Sequence, residues 1–140
     1  MAKYKKVLAG GVFNIIHPGH VFFLKKAKAL GDYLVVVIAH DKTAARTKKY
    51  KIVDQDTRKK NVEKLGIADK VVIGDERDFL KVVREERPDA IALGYDQRTD
   101  EQKLAELLEG EGIKCAIKRI ADKLEGYKTS KIIKNKNKGW

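Results

Sequence analysis

The chain has 140 residues, of which 43% are hydrophobic, and its 31 Lys and Arg residues outnumber 20 Asp and Glu residues to give a net charge of +11. This composition excludes a disordered chain and leaves room for one domain rather than two. The longest apolar run, Tyr33 to Ala39, is far shorter than the roughly 20 residues of a membrane span. The charge predicts an anionic partner, which nucleic acid, nucleotide phosphates or phosphorylated metabolites would satisfy. Since no signal peptide is visible and the single Cys115 has no internal disulfide partner, we expect a cytoplasmic location.

Five short apolar runs alternate with amphipathic segments along the chain. The runs are continuous, which is typical of strands buried on both faces of a parallel sheet. They are Lys6 to Ala9, Tyr33 to Ala39, Lys70 to Ile73, Ala90 to Leu93 and Cys115 to Ile120. The helices predicted between and after them are Val21 to Leu30, Thr57 to Leu65 with Asp54 or Asp56 as its cap, Asp78 to Glu86, Asp100 to Leu108, and a last one from about Thr129. This alternation predicts an α/β doubly wound fold.

The segment Leu8 to His20, LAGGVFNIIHPGH, carries the clearest chemical signal. Its two glycines let backbone approach a ligand closely, and Pro18 suits the first turn of a helix whose N-terminus attracts anions. His17 and His20 are three residues apart, so they share one face of that turn. The segment has no carboxylate nucleophile, and it is suited to stabilising charge on phosphorus, as nucleotidyl transfer requires. A metal site completed by His40, or a purely structural role for the histidines, stays open at this point.

These residues carry a family resemblance. Residues 10–20 resemble the GxFDxxHxGH signature of the cytidylyltransferase-like nucleotidyltransferases, and Leu124 to Ile132, LEGYKTSKI, resembles the EGxSTTKI segment of the same family. Ala92 to Gln97, ALGYDQ, is similar to archaeal FAD synthases, whereas glycerol-3-phosphate cytidylyltransferases typically carry a GDD-type sequence there. Asn14 stands where the family usually has Asp, and Lys128 where it commonly has Ser. The resemblance covers nearly the whole chain and implies a Rossmann-like five-stranded parallel sheet of order 3-2-1-4-5.

The resemblance also implies a domain and a set of site residues. The nucleotidyltransferase domain would span residues 1–134, with residues 135–140 as a basic flexible tail. Catalytic roles fall on His17, His20 and Lys42. Nucleotide binding falls on Gly11, Val12, Phe13, His17, His20, Gly94, Tyr95, Asp96, Thr129 and Ser130, of which the last two are otherwise a plain helix cap. Further candidates are Asn14, Lys123 and Lys128, and the basic residues Arg46, Lys48 and Lys49 predict either a mobile lid or a solvated loop.

The implied reaction transfers a nucleoside monophosphate to a phosphorylated acceptor and releases pyrophosphate. The first hypothesis is transfer of AMP from ATP to FMN, giving FAD, with Phe13, Phe22, Phe23 and Tyr95 as part of an apolar wall for the flavin ring. Alternatives are CTP as donor, or glycerol 3-phosphate, phosphopantetheine or a sugar phosphate as acceptor. A further alternative is a nucleotide- or RNA-binding module that has lost catalysis, which Asn14 and the net charge keep open. We expect Mg²⁺ or a similar cation to arrive with the triphosphate rather than on protein ligands, and the resemblance implies a homodimer.

Overall fold

The chain folds into alternating strands and helices. A computed structural model describes residues 4–47, 51–78, 80–94 and 100–120. The elements within these ranges are β1 (Tyr4–Gly11), α1 (Pro18–Ala29), β2 (Gly31–Ile38), α2 (Asp41–Thr47), α3 (Gln55–Lys64), β3 (Lys70–Ile73), α4 (Lys81–Glu86), β4 (Ala90–Gly94), α5 (Glu101–Gly110) and β5 (Ala116–Ile120). The predicted last helix and the tail lie outside the described residues.

The five strands form one parallel sheet in the order β3-β2-β1-β4-β5, which confirms the predicted fold class and strand order. β1 is central, and its Ala9 pairs with Val36 of β2 on one side and with Ala92 of β4 on the other. The connection from β1 runs to β2, whereas the connection from β4 runs to β5 on the opposite side. The switch point of the sheet therefore lies at the carboxyl ends of β1 and β4.

Helices cover both faces of the sheet because each strand directs successive side chains to opposite faces. One core forms where α1 and α3 pack on the sheet, and its members include Val7, Leu24, Leu34, Val36 and Val62. The other forms beneath α4 and α5, and its members include Leu8, Val83, Ile91, Leu104 and Leu108. Among the helices in the described ranges, none has the length and apolar character that crossing a membrane requires.

Most predicted boundaries move by a few residues, and one helix was missed. β3 matches its prediction, while α1 begins at Pro18 and α3 follows the cap of Asp54, whose carboxylate accepts from Thr57 N–H at 3.0 Å. The predicted helix from Asp78 begins only at Lys81. The prediction of a loop after β2 is wrong for the first part of that segment, because Asp41–Thr47 forms α2. A helix of 7 residues is too short to show an apolar period in the sequence.

Candidate active site

The switch point between β1 and β4 forms one part of the candidate site. Because Ala9 pairs with Ala92, the chain leaves β1 after Gly11 and β4 after Gly94 at the same edge of the sheet. We call residues 12–17 the switch-point loop. Arg119 of β5, to which the sequence pattern assigned no role, donates from Nη1 to the Gly94 carbonyl at 2.7 Å. The last peptide of β4 is therefore held in place beside the loop.

The two histidines of the loop and of α1 lie against each other. Their ring centroids are 3.9 Å apart, and the ring planes are inclined by 28°. His17 is the N-cap of α1 in an extended conformation, and Pro18 occupies the first helical turn as predicted. The spacing of three residues thus brings His17 and His20 together at the helix N-terminus, where backbone N–H groups and the helix dipole favour an anion.

The hydrogen bonds of these histidines determine where each neutral ring carries its proton. The Gly19 N–H donates to Nδ1 of His17 at 3.1 Å, and the His17 N–H donates to Nδ1 of His20 at 3.2 Å. A ring nitrogen that accepts a hydrogen bond carries no proton, so both neutral rings carry theirs on Nε2. Each imidazole is therefore held as an Nε2–H donor, the form that can stabilise negative charge on a phosphoryl oxygen.

Lys42 lies on α2, which follows the carboxyl end of β2. β2 is adjacent to β1 in the sheet, and the switch-point loop follows β1. Its Nζ is 3.5 Å from Oε2 of Glu76, and its side chain is 66% exposed. An exposed pair at this distance contributes little stability, so the ammonium is held weakly and is available to an incoming phosphate. His40 caps the same helix, since its Nδ1 accepts from the Lys42 N–H at 3.1 Å.

Asn14 connects the switch-point loop to the segment before α3. Its Oδ1 accepts from the Val53 N–H at 2.7 Å, and its Nδ2 donates to the Lys51 carbonyl at 3.4 Å. The shorter bond requires only a carbonyl oxygen, which Asp and Asn both have. The departure from the family signature at this position therefore leaves the main contact of the side chain intact, which weakens the argument for lost catalysis.

Arg58 of α3, which the sequence analysis did not single out, contacts the switch-point loop. Its side chain is fully buried, and its guanidinium donates to the Val53 carbonyl, the Val12 carbonyl and Oδ1 of Asp41 at 2.6, 2.9 and 2.7 Å. In the sequence it is one more basic residue on a charged helix. The available signal was its spacing, because Arg58 lies one helical turn before the buried Val62 and so belongs to the inward face.

The aromatic wall proposed for a flavin ring is wrong for two of its members. Phe13 and Phe23 are 1% and 7% exposed and belong to the core. Phe22 lies on α1 with the Lys26 ammonium 5.5 Å from its ring centroid. The strongly exposed apolar side chain of the switch-point loop is instead Ile15, at 69%.

Several predicted residues lie outside the described part of the chain: Tyr95, Asp96, Thr129, Ser130, Lys123, Lys128, Lys48 and Lys49. Among the residues that are described, no three His, Cys, Asp or Glu side chains come together as a metal site. The alternative in which His17 and His20 bind a metal with His40 therefore has no support from the described geometry.

Comparison with known proteins agrees with this geometry. The family model described as cytidylyltransferase-like matches residues 8–135. A protein of Ferroglobus placidus named FAD synthase is 49% identical over 119 residues, which cover 85% of this chain and 78% of that protein. A protein of Thermoplasma acidophilum with the same name is 42% identical over 131 residues, covering 94% of this chain and 92% of the relative.

A solved structure of similar fold comes from Thermoplasma volcanium. It is described as a lipopolysaccharide core biosynthesis protein, and it superimposes with a TM-score of 0.82 at 43% identity, covering 87% of this chain and 99% of that one. The family model matches most of the chain, and relatives with 42–49% identity cover most of it as well. This chain belongs to the cytidylyltransferase-like family of nucleotidyltransferases.

Proposed function

We propose that this protein is an FMN adenylyltransferase, which transfers AMP from ATP to FMN and forms FAD and pyrophosphate. The observation that carries the proposal is the pair of stacked histidines, held as Nε2–H donors at a helix N-terminus beside the switch point. Such a site stabilises charge at phosphorus without supplying a nucleophile. The choice of ATP and FMN follows the name of relatives that are 42–49% identical over most of this chain.

The reaction proceeds by displacement at the α-phosphorus of ATP. A phosphate oxygen of FMN forms the new bond to this phosphorus, and the bond to the bridging oxygen of the β-phosphate breaks, so that pyrophosphate takes the electron pair. A phosphate monoester is largely dianionic near neutral pH, so the nucleophile needs no general base. The work left to the protein is to align donor and acceptor and to stabilise charge on the phosphoryl oxygens.

We assign the residues to this reaction by their places in the sequence motifs that resemble the family. His17 and His20 would donate to the α-phosphate, together with backbone N–H groups of Gly11, Val12 and Phe13, and Lys42 would leave Glu76 to contact the transferred phosphate. Gly94, Tyr95 and Asp96 would bind the ribose and adenine. Thr129 and Ser130 would bind the β- and γ-phosphates, with Lys123 and Lys128 as additional cations. The exposed Ile15 supplies apolar surface for the flavin ring.

We expect Mg²⁺ to accompany ATP, where it neutralises charge on the phosphate oxygens. Mg²⁺ usually keeps several waters and binds substrate phosphates, so we propose that the cation is held mainly by the triphosphate. Excess EDTA should therefore abolish FAD formation, and added Mg²⁺ should restore it without any step of refolding. Full activity in excess EDTA would contradict this prediction. Wild-type protein dialysed against EDTA and then assayed with Mg²⁺ is the control for irreversible damage.

A sugar phosphate is the second candidate acceptor. The observation that favours it is the description of the Thermoplasma volcanium structure, which names lipopolysaccharide core biosynthesis. Nucleotidyltransferases of one fold accept different phosphate esters, and the fold alone does not separate them. The same assay must therefore include sugar phosphates, glycerol 3-phosphate and phosphopantetheine, each with ATP and with CTP.

The deciding experiment incubates the purified protein with ATP, Mg²⁺ and FMN and separates the flavins by chromatography. We expect FAD and pyrophosphate in equal amounts, and no flavin product with CTP. A His20→Asn variant purified in the same way controls for contaminating enzymes. If FAD does not form while another phosphate ester is adenylylated or cytidylylated, the FMN assignment is wrong and membership of the nucleotidyltransferase family is unaffected.

A further inference from the structure

A buried network joins the switch-point loop to the helix that carries Lys42. Among the residues that the structure describes, Arg58 is the charged side chain that is fully buried. Its three hydrogen bonds reach Val12 in the loop after β1, Asp41 at the first position of α2, and Val53 before α3. We call these residues together with Asn14 the Arg58 network. A buried guanidinium requires a paired charge and hydrogen-bond acceptors. Asp41 provides the charge, and its carboxylate and the two carbonyls accept three hydrogen bonds.

The network holds a backbone conformation that is unfavourable by itself. Phe13 has a φ of 51°, in the left-handed region that bulky residues rarely adopt. Both neighbours of Phe13 are held: the Val12 carbonyl accepts from Arg58, and Asn14 accepts from the Val53 N–H. Arg58 also donates to the Val53 carbonyl, so the two contacts are connected. In a trans peptide the following N–H points the opposite way, so the bond to the Val12 carbonyl sets the direction of the Phe13 N–H.

The same guanidinium restrains α2. Arg58 Nη2 binds the Asp41 carboxylate at 2.7 Å, and the Asp41 N–H donates to Oε1 of Gln55 at 2.8 Å. Both contacts connect the first residue of α2 to α3. Lys42 is the next residue of α2, so its backbone position depends on these contacts.

We propose that Arg58 is a positioning residue for nucleotidyl transfer, which holds the Phe13 N–H and Lys42 in a fixed relation to each other at the transferred phosphate, with Asn14 as its partner on the loop. The proposal rests on the proposed function for the role of Lys42. A lysine cannot replace the arginine, because one ammonium cannot meet three acceptors that lie around a planar fork. Asp can replace Asn14, because its oxygen still accepts from the Val53 N–H.

Four variants test this proposal: Arg58→Lys, Asn14→Leu, Asn14→Asp and, as a control for lost stability alone, Gly31→Ala at the opposite end of β2. Each is assayed at least 15 °C below its own Tm, a margin of roughly this size keeping a two-state domain folded. We expect Arg58→Lys and Asn14→Leu to lower kcat by about 10-fold or more, as loss of aligned groups does, and to raise the Kd of a non-hydrolysable ATP analogue several-fold, with the KM for FMN little changed. Asn14→Asp should stay within about threefold of wild type, and Gly31→Ala should keep the wild-type kcat.

The outcomes separate positioning from a structural role. If Arg58→Lys and Asn14→Leu are folded and keep wild-type kcat and nucleotide affinity, the proposal is wrong. It is also wrong if they lose no more activity than Gly31→Ala, or if the KM for FMN rises in parallel with the Kd of the ATP analogue. If Arg58→Lys does not fold, Asn14→Leu decides alone. Binding of the ATP analogue needs no acceptor, so it tests the network even if wild-type protein forms no FAD, a result that would count against the proposed function only.

Discussion

At the scale of single residues, the backbone hydrogen bond to Nδ1 of each histidine leaves its proton on Nε2. Nδ1 of His20 accepts from the His17 N–H, and Nδ1 of His17 accepts from the Gly19 N–H. Each ring therefore has two separate functions. Nδ1 accepts a hydrogen bond at the helix N-terminus, and Nε2–H would donate a hydrogen bond to a phosphoryl oxygen. Substitutions can remove one function and keep the other.

His20→Asn is the substitution that isolates Nε2. The Asn side chain keeps an acceptor near the position of Nδ1, so the start of α1 should stay folded, but it has no atom at the position of Nε2. We expect kcat to fall by a factor equivalent to about 2–4 kcal/mol, as for loss of an oxyanion-hole donor, with a smaller change in ATP affinity. Single-turnover kinetics and binding of an ATP analogue provide the two measurements. A wild-type kcat in His20→Asn would remove His20 from the mechanism.

The thiol of Cys115 should react slowly in the folded protein. Burial, with a smaller contribution from the nearby Asp89 carboxylate, raises the pKa of its thiol to about 11. The ordinary value is 9.0, so near neutral pH the folded protein has about 100-fold less thiolate than an ordinary cysteine. Alkylation by iodoacetamide at pH 8 should be slower by about that factor in the folded protein than in urea, and should accelerate as the pH rises toward 11. Equal rates in the two states would contradict the prediction.

At the scale of elements, the start of β2 shows why a helix and a strand can meet without a linker. α1 ends at Ala29 and β2 begins at Gly31, with Leu30 as the C-cap between them. The Tyr4 N–H donates to the Leu30 carbonyl at 2.9 Å, which brings β1 close to this junction. A Cβ atom on Gly31 would lie 2.7 Å from the Tyr4 carbonyl oxygen and 2.7 Å from Cγ2 of Val7. Glycine is required here by the close approach of two strands.

Gly31→Ala should therefore destabilise the protein by about 1–3 kcal/mol, as overpacking of a core does. Gly110→Ala is the matched control, because a Cβ on this helical glycine would meet no atom within 4 Å. Alanine favours the helix over glycine by about 0.5–1 kcal/mol, so the control should be at least as stable as wild type. Urea unfolding followed by circular dichroism measures both. Equal midpoints for Gly31→Ala and wild type would show that the junction relaxes freely.

At the scale of the whole molecule, one parallel sheet with helices on both faces brings residues from distant parts of the chain to one edge. The carboxyl ends of parallel strands meet there. The switch-point loop follows β1, the helix α2 with Lys42 follows β2, and Gly94 is the last residue of β4. The opposite edge carries contacts with no part in the proposed reaction. Glu86, for example, pairs with Lys6 at 3.3 Å and with Lys70 at 2.7 Å. Activity and stability can therefore be changed separately.

We propose that the protein is a homodimer, as the family resemblance implies. A domain of 140 residues exposes much surface for the size of its core, which makes association favourable if an apolar face is available. Light scattering coupled to size exclusion should give twice the mass of the chain across micromolar concentrations. A mass of 15.8 kDa throughout that range would show a monomer.

Local patterns in the sequence were enough for the fold and for the approach of the two histidines at the start of α1. Continuous apolar runs such as Lys70–Ile73 indicate buried parallel strands because each strand is covered on both faces. The residues from Gly10 to His20 combine a strand end, a close backbone approach and a helix start within one short segment, so their geometry is largely local. Family membership and the approach of His17 to His20 followed from the same segment.

Only the tertiary structure revealed how this segment is held. Arg58 is separated from Val12 by 46 positions and from Asp41 by 17, and Asn14 is separated from Val53 by 39. No periodicity relates residues at such distances, so the spacing of Arg58 to Val62 indicates an inward helix face but does not identify the acceptors that the sheet brings to it. The same holds for Phe13, which as an aromatic residue near the site suggested a ligand wall and instead fills the core. Burial depends on which elements pack together, and packing is decided by contacts between segments that the sequence alone does not connect.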